Sequence, residues 1–414
     1  MMQCRFCKYP LENIVVDLKN QPSANRLLSR EDLHNFKQGK SEWKSPLTTY
    51  ICEKCSLVQL GNITAPEDLF TDDYVYYSSF SKEWVEHARL FAEETIPKFN
   101  LTNKSRVLEI GSNDGYLLQH FVSHKIPCQG IDPAGKAAKA AEEKGVKTIV
   151  GFFGKTTSQQ IIKQFGVCDL IVGNNVFAHV PKIREFITAI KRCLSEKGVV
   201  SLEFPHLASL VEYTQFDTIY DEHYFYHSIV ALKQIFSEFD LKIIEVNELS
   251  THGGSLRIFL THEANNTYSI NHSVGRILSK ELAMKLDRKE GFRELQKNIG
   301  LIRKNALKFI EKRKEIGQNI AAFGAAAKGN IFLNYCGINS KNIDFVADDT
   351  PAKQGKFLPG SHIPVVSMDV IRETKPNVII ILPWNVREEI CQKLNFVKEW
   401  GGQLVTFIPE IKVC

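Results

Sequence analysis

"VLEIGSNDG", residues 107–115, decides the fold. Val-Leu-Glu-Ile is mostly apolar and ends in a glycine, and a second glycine follows three small polar residues. This is a buried strand running into a tight turn, and "YLLQHFVSH" beyond it continues as a helix. Working outward, "CQGID" (128–132) is the next strand and "PAGKAAKAAEEKG" the next helix. "CDLIVGNN" (168–175) is a third strand, followed by the helix "PKIREFITAIKRCL". "GVVSLEFPH" is a fourth. Strands alternating with helices predict a doubly wound α/β sheet. Two further runs, "LKIIEVNEL" and "GGSLRIFLT", read as a hairpin closing the unit.

The turn itself predicts a ligand. Gly111 and Gly115 frame Ser112, Asn113 and Asp114 with the spacing G-x-x-x-G, which lets backbone N–H groups approach a bound molecule closely. The G-x-G-x-x-G pyrophosphate fingerprint is not met. Asp132 ends the second strand, where a carboxylate accepts the two ribose hydroxyls of a nucleoside. A nucleoside without a pyrophosphate describes S-adenosylmethionine. "NNVFAHVP" (174–181) places Asn174, Asn175 and His179 at the end of the third strand, beside the methionine part of such a ligand. The plainer reading is a structural strand–turn–helix, with His179 a packing residue.

Bulk properties bound the rest. With 414 residues the chain has room for two or three domains, and 43% apolar and 24% charged residues are ordinary for a globular protein. A net charge of +5 is too small to argue for a nucleic acid or membrane partner. No run of eighteen apolar residues is present and the start lacks a secretory core, so the expected location is cytoplasmic. Cys4, Cys7, Cys52 and Cys55 form two C-x2-C pairs, the ligand set of a structural Zn2+ site with no open position. Little else in residues 1–70 looks able to build a core, so the metal is expected to supply folding energy. Residues 268–316 read as charged linker helices with an apolar stripe at Phe292, Leu295, Ile299, Ile302, Ala306 and Phe309. Residues 317–414 restart an α/β pattern. The expected division is a zinc-binding domain (1–70), a cofactor-binding domain (71–264), and linker helices with a Rossmann-like domain (265–414).

Two further clusters carry chemistry. "YDEHYFYH" (220–227) crowds a phenol, two acids and an imidazole after a strand, as proton-transfer sites do. "FGAAAKGN" (323–330) sets Gly324, Ala325, Lys328 and Asn330 at a strand-to-helix turn, where small residues let a diphosphate reach backbone N–H groups. Lys353 and Gln354 are placed to add contacts, Trp384 to stack on a base or sugar, and Asn385 to hydrogen bond.

Together "CRFC…CEKC", "DYVYYSSFS", "EIGSNDGYLL", "FAHVP", "IYDEHYFYHS", "HGGSLR", "GAAAKGN", "AKQGKFLPGSHIPV" and "LPWN" run in order over nearly the whole chain. In this the sequence resembles the three-domain C-methyltransferases that act on nucleotide-linked deoxysugars. The resemblance implies a zinc domain, a class I methyltransferase domain and a C-terminal domain that helps hold the nucleotide-linked deoxysugar. It makes Tyr74 or Tyr76 a lid or active-site residue. Carbon becomes nucleophilic when a neighbouring carbonyl acidifies its C–H bond, so the implied acceptor is C3 of a 4-keto sugar. His223 is then the base, Tyr220 a donor to the enolate oxygen, and Glu222 orients the imidazole or holds a sugar hydroxyl. The family pattern is Tyr-His-Glu-His. Asp221 replaces its first His here, and a carboxylate close to His223 would raise the imidazole pKa. Three alternatives stay open: an O- or N-methyltransferase, a zinc-containing RNA methyltransferase, and a non-catalytic scaffold.

Overall fold

The computed structural model describes residues 2–69 and 77–414; Tyr74 and Tyr76 lie outside the described residues. Three sheets organise the chain. The N-terminal sheet is antiparallel, in the order β1 (Asn13–Pro22), β2 (Lys44–Ile51), β3 (Val58–Leu60), β9 (Phe225–Tyr226). The seven-stranded middle sheet contains β4 (Val107–Ile110), β5 (Cys128–Asp132), β6 (Thr148–Val150), β7 (Cys168–Asn174), β8 (Leu194–Pro205), β10 (Leu241–Leu249) and β11 (Ser255–His262). Its order is β10-β11-β8-β7-β4-β5-β6. β11 is antiparallel to both its neighbours, and the pairs from β8 to β6 are parallel. This is the class I methyltransferase sheet, with its order reversing between β4 and β7, where α/β sheets open a ligand crevice. The third sheet comprises β12 (Ile320–Phe323), β13 (Val346–Ala347), β14 (Val365–Val366), β15 (Val378–Ile381), β16 (Gln403–Thr406) and β17 (Lys412–Val413). It is also doubly wound, with β12 central and only β17 antiparallel.

The predicted middle strands are all present, and Thr148–Val150 adds an edge strand that the sequence reading missed. Three residues carrying one threonine leave too short a pattern to read.

The N-terminal region differs more. It does build a core. Val16, Leu18, Leu47, Ile51, Val58 and Leu60 are buried together with Ile299 and Ile302 of the linker helix Leu295–Glu315 and Leu333 of the C-terminal lobe. The four thiols belong to the core of the middle domain, in one cluster with Tyr224, Phe225 and Ile235. The key feature is β9. Residues from the "YDEHYFYH" stretch pair with β3, Val58 with Tyr226 and Gln59 with Phe225, so the N-terminal sheet is completed by the loop carrying the acid–base cluster.

A buried ionic network fixes the helix Lys82–Lys98 to the sheet. Glu203, near the end of β8, has no exposed surface. It accepts from His87 Nε2 (2.9 Å), Arg257 (2.8 Å) and the Thr251 hydroxyl (3.1 Å). Burial pushes its pKa up, but His87 and Arg257 outweigh that and hold it below the ordinary value. Removing one partner strands a buried charge. Arg257→Met is therefore expected to cost about 3–5 kcal/mol of stability, measured by urea denaturation. A loss below about 1 kcal/mol would show the network to be dispensable.

Candidate active site

The cofactor crevice lies at the C-terminal ends of β4, β5 and β7. Gly111 has φ +69°, and a Cβ there would sit 2.5 Å from Val176 Cγ2, so the turn needs glycine. Its N–H groups are used differently from the expectation. Those of Gly111 and Ser112 donate to the Ile131 carbonyl (2.8 and 3.2 Å). That of Asn113 donates to Asp132 Oδ2 (2.8 Å), while Asp132 Oδ1 accepts from Ala134 N–H (2.8 Å). The turn is braced by its own second strand, and side chains are left to meet a ligand. Ser112 Oγ, Asp114 Oδ1 and both amide atoms of Asn174 are buried without a hydrogen-bond partner among the described residues. Buried polar atoms are normally partnered, so these orphans fit a polar molecule in the crevice. Ser79 donates to the other oxygen of Asp114, and Lys144 pairs with it at 3.0 Å. Asp132 stands where a ribose would be held, and S-adenosylmethionine fits this set of groups.

Four thiols form the second cofactor site. The sulfur atoms of Cys4, Cys7, Cys52 and Cys55 lie within 4.8 Å of one another, and Gln59 Nε2 donates to Cys4 Sγ at 3.1 Å. Four convergent sulfurs suit tetrahedral zinc and leave no place for a substrate.

The acid–base cluster is buried. His223 Nδ1 donates to the Thr218 carbonyl (2.9 Å). That fixes the tautomer and leaves the Nε2 lone pair to accept from the Tyr220 hydroxyl (2.8 Å). Burial, with help from neighbouring His179 and the charges of Lys328 and His252, holds the His223 pKa well below its usual value. His179 packs edge-on against His223 with ring centroids 4.7 Å apart, and burial lowers its pKa to about 4.

Asp221 does not raise the pKa of His223, as proximity would have required. Its carboxylate turns to the N-terminal domain and accepts from Ala24 N–H (3.1 Å). Glu222 does not orient the imidazole through a direct bond either. It accepts from Asn25 Nδ2 (2.7 Å), and burial lifts its pKa to about 7. Both acids thus tie the cluster to the segment after β1. Asn25 was invisible to the sequence reading because nothing local connects residue 25 with residue 222.

The C-terminal turn is rearranged relative to its predicted use. Ala325 N–H donates to Asp348 Oδ2 (2.8 Å), so a carboxylate holds the position expected for a phosphate. Lys353 Nζ is bound to the Ala325 carbonyl (2.9 Å) and to Asp348 (3.3 Å). Gln354 donates to the Asp348 carbonyl (2.9 Å). Asn330 is wholly buried and accepts from Asn334 (3.1 Å). Gly324, at φ +92°, packs on Pro383. These five residues build the turn, where the Asp348 carboxylate is paired with Lys353 and occupies the Ala325 N–H.

Lys328 and Trp384 reach instead to residues of the middle domain. Trp384 Nε1 donates to the buried Asp217 (2.7 Å), and Lys328 lies 5.0 Å from the centre of its indole. Lys328 Nζ donates to the His252 carbonyl (3.1 Å). His252 itself, at φ +54°, accepts from Asn175 Nδ2 (3.1 Å) at the end of β7. Asn385 is half-buried beside Trp384. His252 and Asp217 were missed, although "HGGSLR" carried a signal in its paired glycines. A Cβ on Gly253 would meet Trp384 at 2.4 Å.

Comparison with known proteins agrees with this layout. Residues 4–70 match the family described as "Putative zinc binding domain", residues 84–246 the "Methyltransferase domain" and residues 250–409 the "C-methyltransferase C-terminal domain". The C-methyltransferase NovU of Streptomyces niveus is 30% identical over 411 residues, which is 99% of this chain and 96% of that protein. Solved structures match part of the chain. Magnesium protoporphyrin IX methyltransferase (ChlM) of Synechocystis PCC 6803 with bound SAM is 14% identical, over 43% of this chain and 81% of that one, with a TM-score of 0.33. A SAM dependent methyltransferase of Aquifex aeolicus is 15% identical, over 41% of this chain and 88% of that one, with a TM-score of 0.31. No helix among the described residues is long and apolar enough to cross a membrane.

Proposed function

This chain belongs to the S-adenosylmethionine-dependent C-methyltransferases that join a zinc-binding domain, a methyltransferase domain and a C-methyltransferase C-terminal domain, and from that premise we propose that its acceptor is C3 of a nucleotide-linked 4-keto-deoxysugar. The observation that carries this reading is the pair of half-buried Tyr220 and buried His223, a neutral imidazole whose lone pair is covered by a phenol. S-adenosylmethionine supplies an electrophilic methyl group when bound. The chain must supply a carbon nucleophile. One lone pair on Nε2 cannot accept from the phenol and from a substrate C–H together. A ketone that takes up the Tyr220 O–H uncovers the base and places an acidified C–H before it. His223 then removes the proton, and Tyr220 holds the developing enolate oxygen. An O- or N-methyl acceptor needs no such donor to a carbonyl.

Asp132, Ser112, Asn113, Asp114 and Asn174 are proposed to hold the cofactor, with Asn175 at its reacting end. His179 is proposed to line the substrate. The nucleotide end is proposed to lie in the cleft along Trp384 and Asn385. A soluble cytoplasmic small-molecule enzyme is the setting that fits this chemistry.

The test is exchange of the substrate C3–H with solvent deuterium, run with S-adenosylhomocysteine in place of the methyl donor. Exchange at a rate no slower than turnover is expected. Its absence across a panel of nucleotide-linked 4-keto-6-deoxysugars would remove the carbon-acid mechanism. The lowered pKa of His223 adds a pH expectation. The base stays neutral well into acid, so the acidic limb of kcat/KM falls below pH 6.5. It is measured in the wild type and in Glu222→Gln, which removes the carboxyl that titrates near 7. A limb above 6.5 in both would contradict the burial of the base.

A further inference from the structure

We propose that Lys328 is a catalytic residue, its ammonium group donating to the carbonyl oxygen of the acceptor and carrying the enolate charge opposite His223. The inference rests on the carbon-acid reading above and adds a cation to it. It also moves Lys328 away from the diphosphate role its position after Gly324 suggests.

Three observations support the placement. The first is cost. Lys328 lies in the first turn of the helix Ala327–Cys336, at the positive end of the helix dipole, where a cation is disfavoured. Burial lowers its pKa further, and Asp217 only partly offsets this. Asp217 spends one oxygen on Trp384 and forms no ion pair with Lys328 among the described residues. A cation held at such expense, with its counter-charge kept at a distance, retains a strong field for an incoming anion. The second is direction. Lys328 donates one hydrogen bond among the described residues, to the His252 carbonyl, and the His252 side chain reaches Asn175 at the cofactor end of β7. The charge of Lys328 acts on both His223 and His252. The ammonium is therefore held by the opposite lobe against the His252 backbone, one residue from the end of β7 through the His252–Asn175 bond. The third is exclusion. The Ala325 N–H of the Gly324 turn is already taken by Asp348, itself paired with Lys353, so it is not open to a diphosphate.

The step balances. The C3–H pair becomes the enolate double bond, the carbonyl pair moves to oxygen beside Lys328 and Tyr220, and the proton goes to His223 Nε2. The enolate then forms the new C–C bond as the methyl group leaves sulfur, and the ketone is restored.

The experiment compares wild type, Lys328→Met and Lys328→Arg. It measures C3 deuterium exchange with S-adenosylhomocysteine bound, kcat and KM for the nucleotide-linked ketosugar, and affinity for the nucleoside diphosphate alone. S-adenosylmethionine affinity reports that each variant is folded. Lys328→Met is expected to lose about 100-fold or more in exchange and kcat, the effect of removing an oxyanion donor, with diphosphate affinity within about threefold. Lys328→Arg, which keeps the charge, is expected to recover part of the exchange. Wild-type exchange in Lys328→Met with diphosphate affinity reduced about tenfold would overturn the proposal and make Lys328 a phosphate anchor. Should Lys328→Met fail to fold, the arginine variant decides: exchange no better than in the absence of enzyme, at unchanged diphosphate affinity, would count against a charge-based role. No exchange by the wild type would instead remove the carbon-acid reading itself.

Discussion

His223→Ala lowers turnover by about 10²–10⁴-fold and abolishes C3 deuterium exchange, while S-adenosylmethionine binds as before. The expectation follows from where the imidazole sits. His223 is buried, its Nδ1–H is committed to the Thr218 carbonyl, and its Nε2 faces the Tyr220 hydroxyl. It is thus an imidazole of fixed tautomer, kept neutral by its surroundings. It is not part of the cofactor crevice, whose groups come from β4, β5 and β7. A purely structural histidine would lose stability and cofactor affinity together on truncation. A catalytic one loses proton transfer alone. Kinetics, exchange and calorimetric cofactor binding on one preparation separate the two. Turnover within about threefold of wild type would take His223 out of the mechanism.

Zinc removal is expected to have an effect of the same order for a different reason. The thiol cluster touches no cofactor group, yet it shares a core with Tyr224 and Phe225, and β3 pairs with β9 inside the reacting loop. Ala24 and Asn25 hold Asp221 and Glu222 from the same domain. A structural zinc site contributes about 10–16 kcal/mol in small zinc-binding peptides, as large as the whole stability of many domains. Its loss should release β9 and both acids, and with them the setting of His223. Chelation, or Cys52→Ser, is expected to reduce turnover about 100-fold or more while cofactor affinity stays within about threefold. Turnover should return when zinc is restored to the chelated protein. Full activity in metal-free protein would show that the loop keeps its shape unaided.

What could be read from the sequence divides along physical lines. The strands ending at Ile110, Asp132 and Asn174 announce themselves by local patterns, apolar runs closed by glycine or a polar residue. The thiols announce themselves by spacing. Local patterns do not report which N–H a carboxylate will take. Asp132 and Asp348 each accept from the turn beside them, and the same contact that braces the cofactor turn occupies an N–H that a diphosphate was expected to meet. Nor do they report partners far apart in the chain. Asn25 meets Glu222, and Lys328 meets the His252 carbonyl, only because segments far apart in the chain converge on two loops of the middle domain. The core of residues 1–70 was underestimated for the same reason, since most of the cluster it joins comes from the linker helix and the C-terminal lobe.

The most direct test of carbon methylation is the position of the new methyl group. Wild-type protein with zinc bound would be incubated with S-adenosylmethionine carrying a 13C-labelled methyl and a nucleotide-linked 4-keto-6-deoxysugar. The product would be examined by carbon–proton correlation NMR. The predicted result is a methyl bonded to C3, next to an intact C4 ketone. A methyl on oxygen or nitrogen would contradict enolate chemistry and leave His223 as the base for a simpler proton.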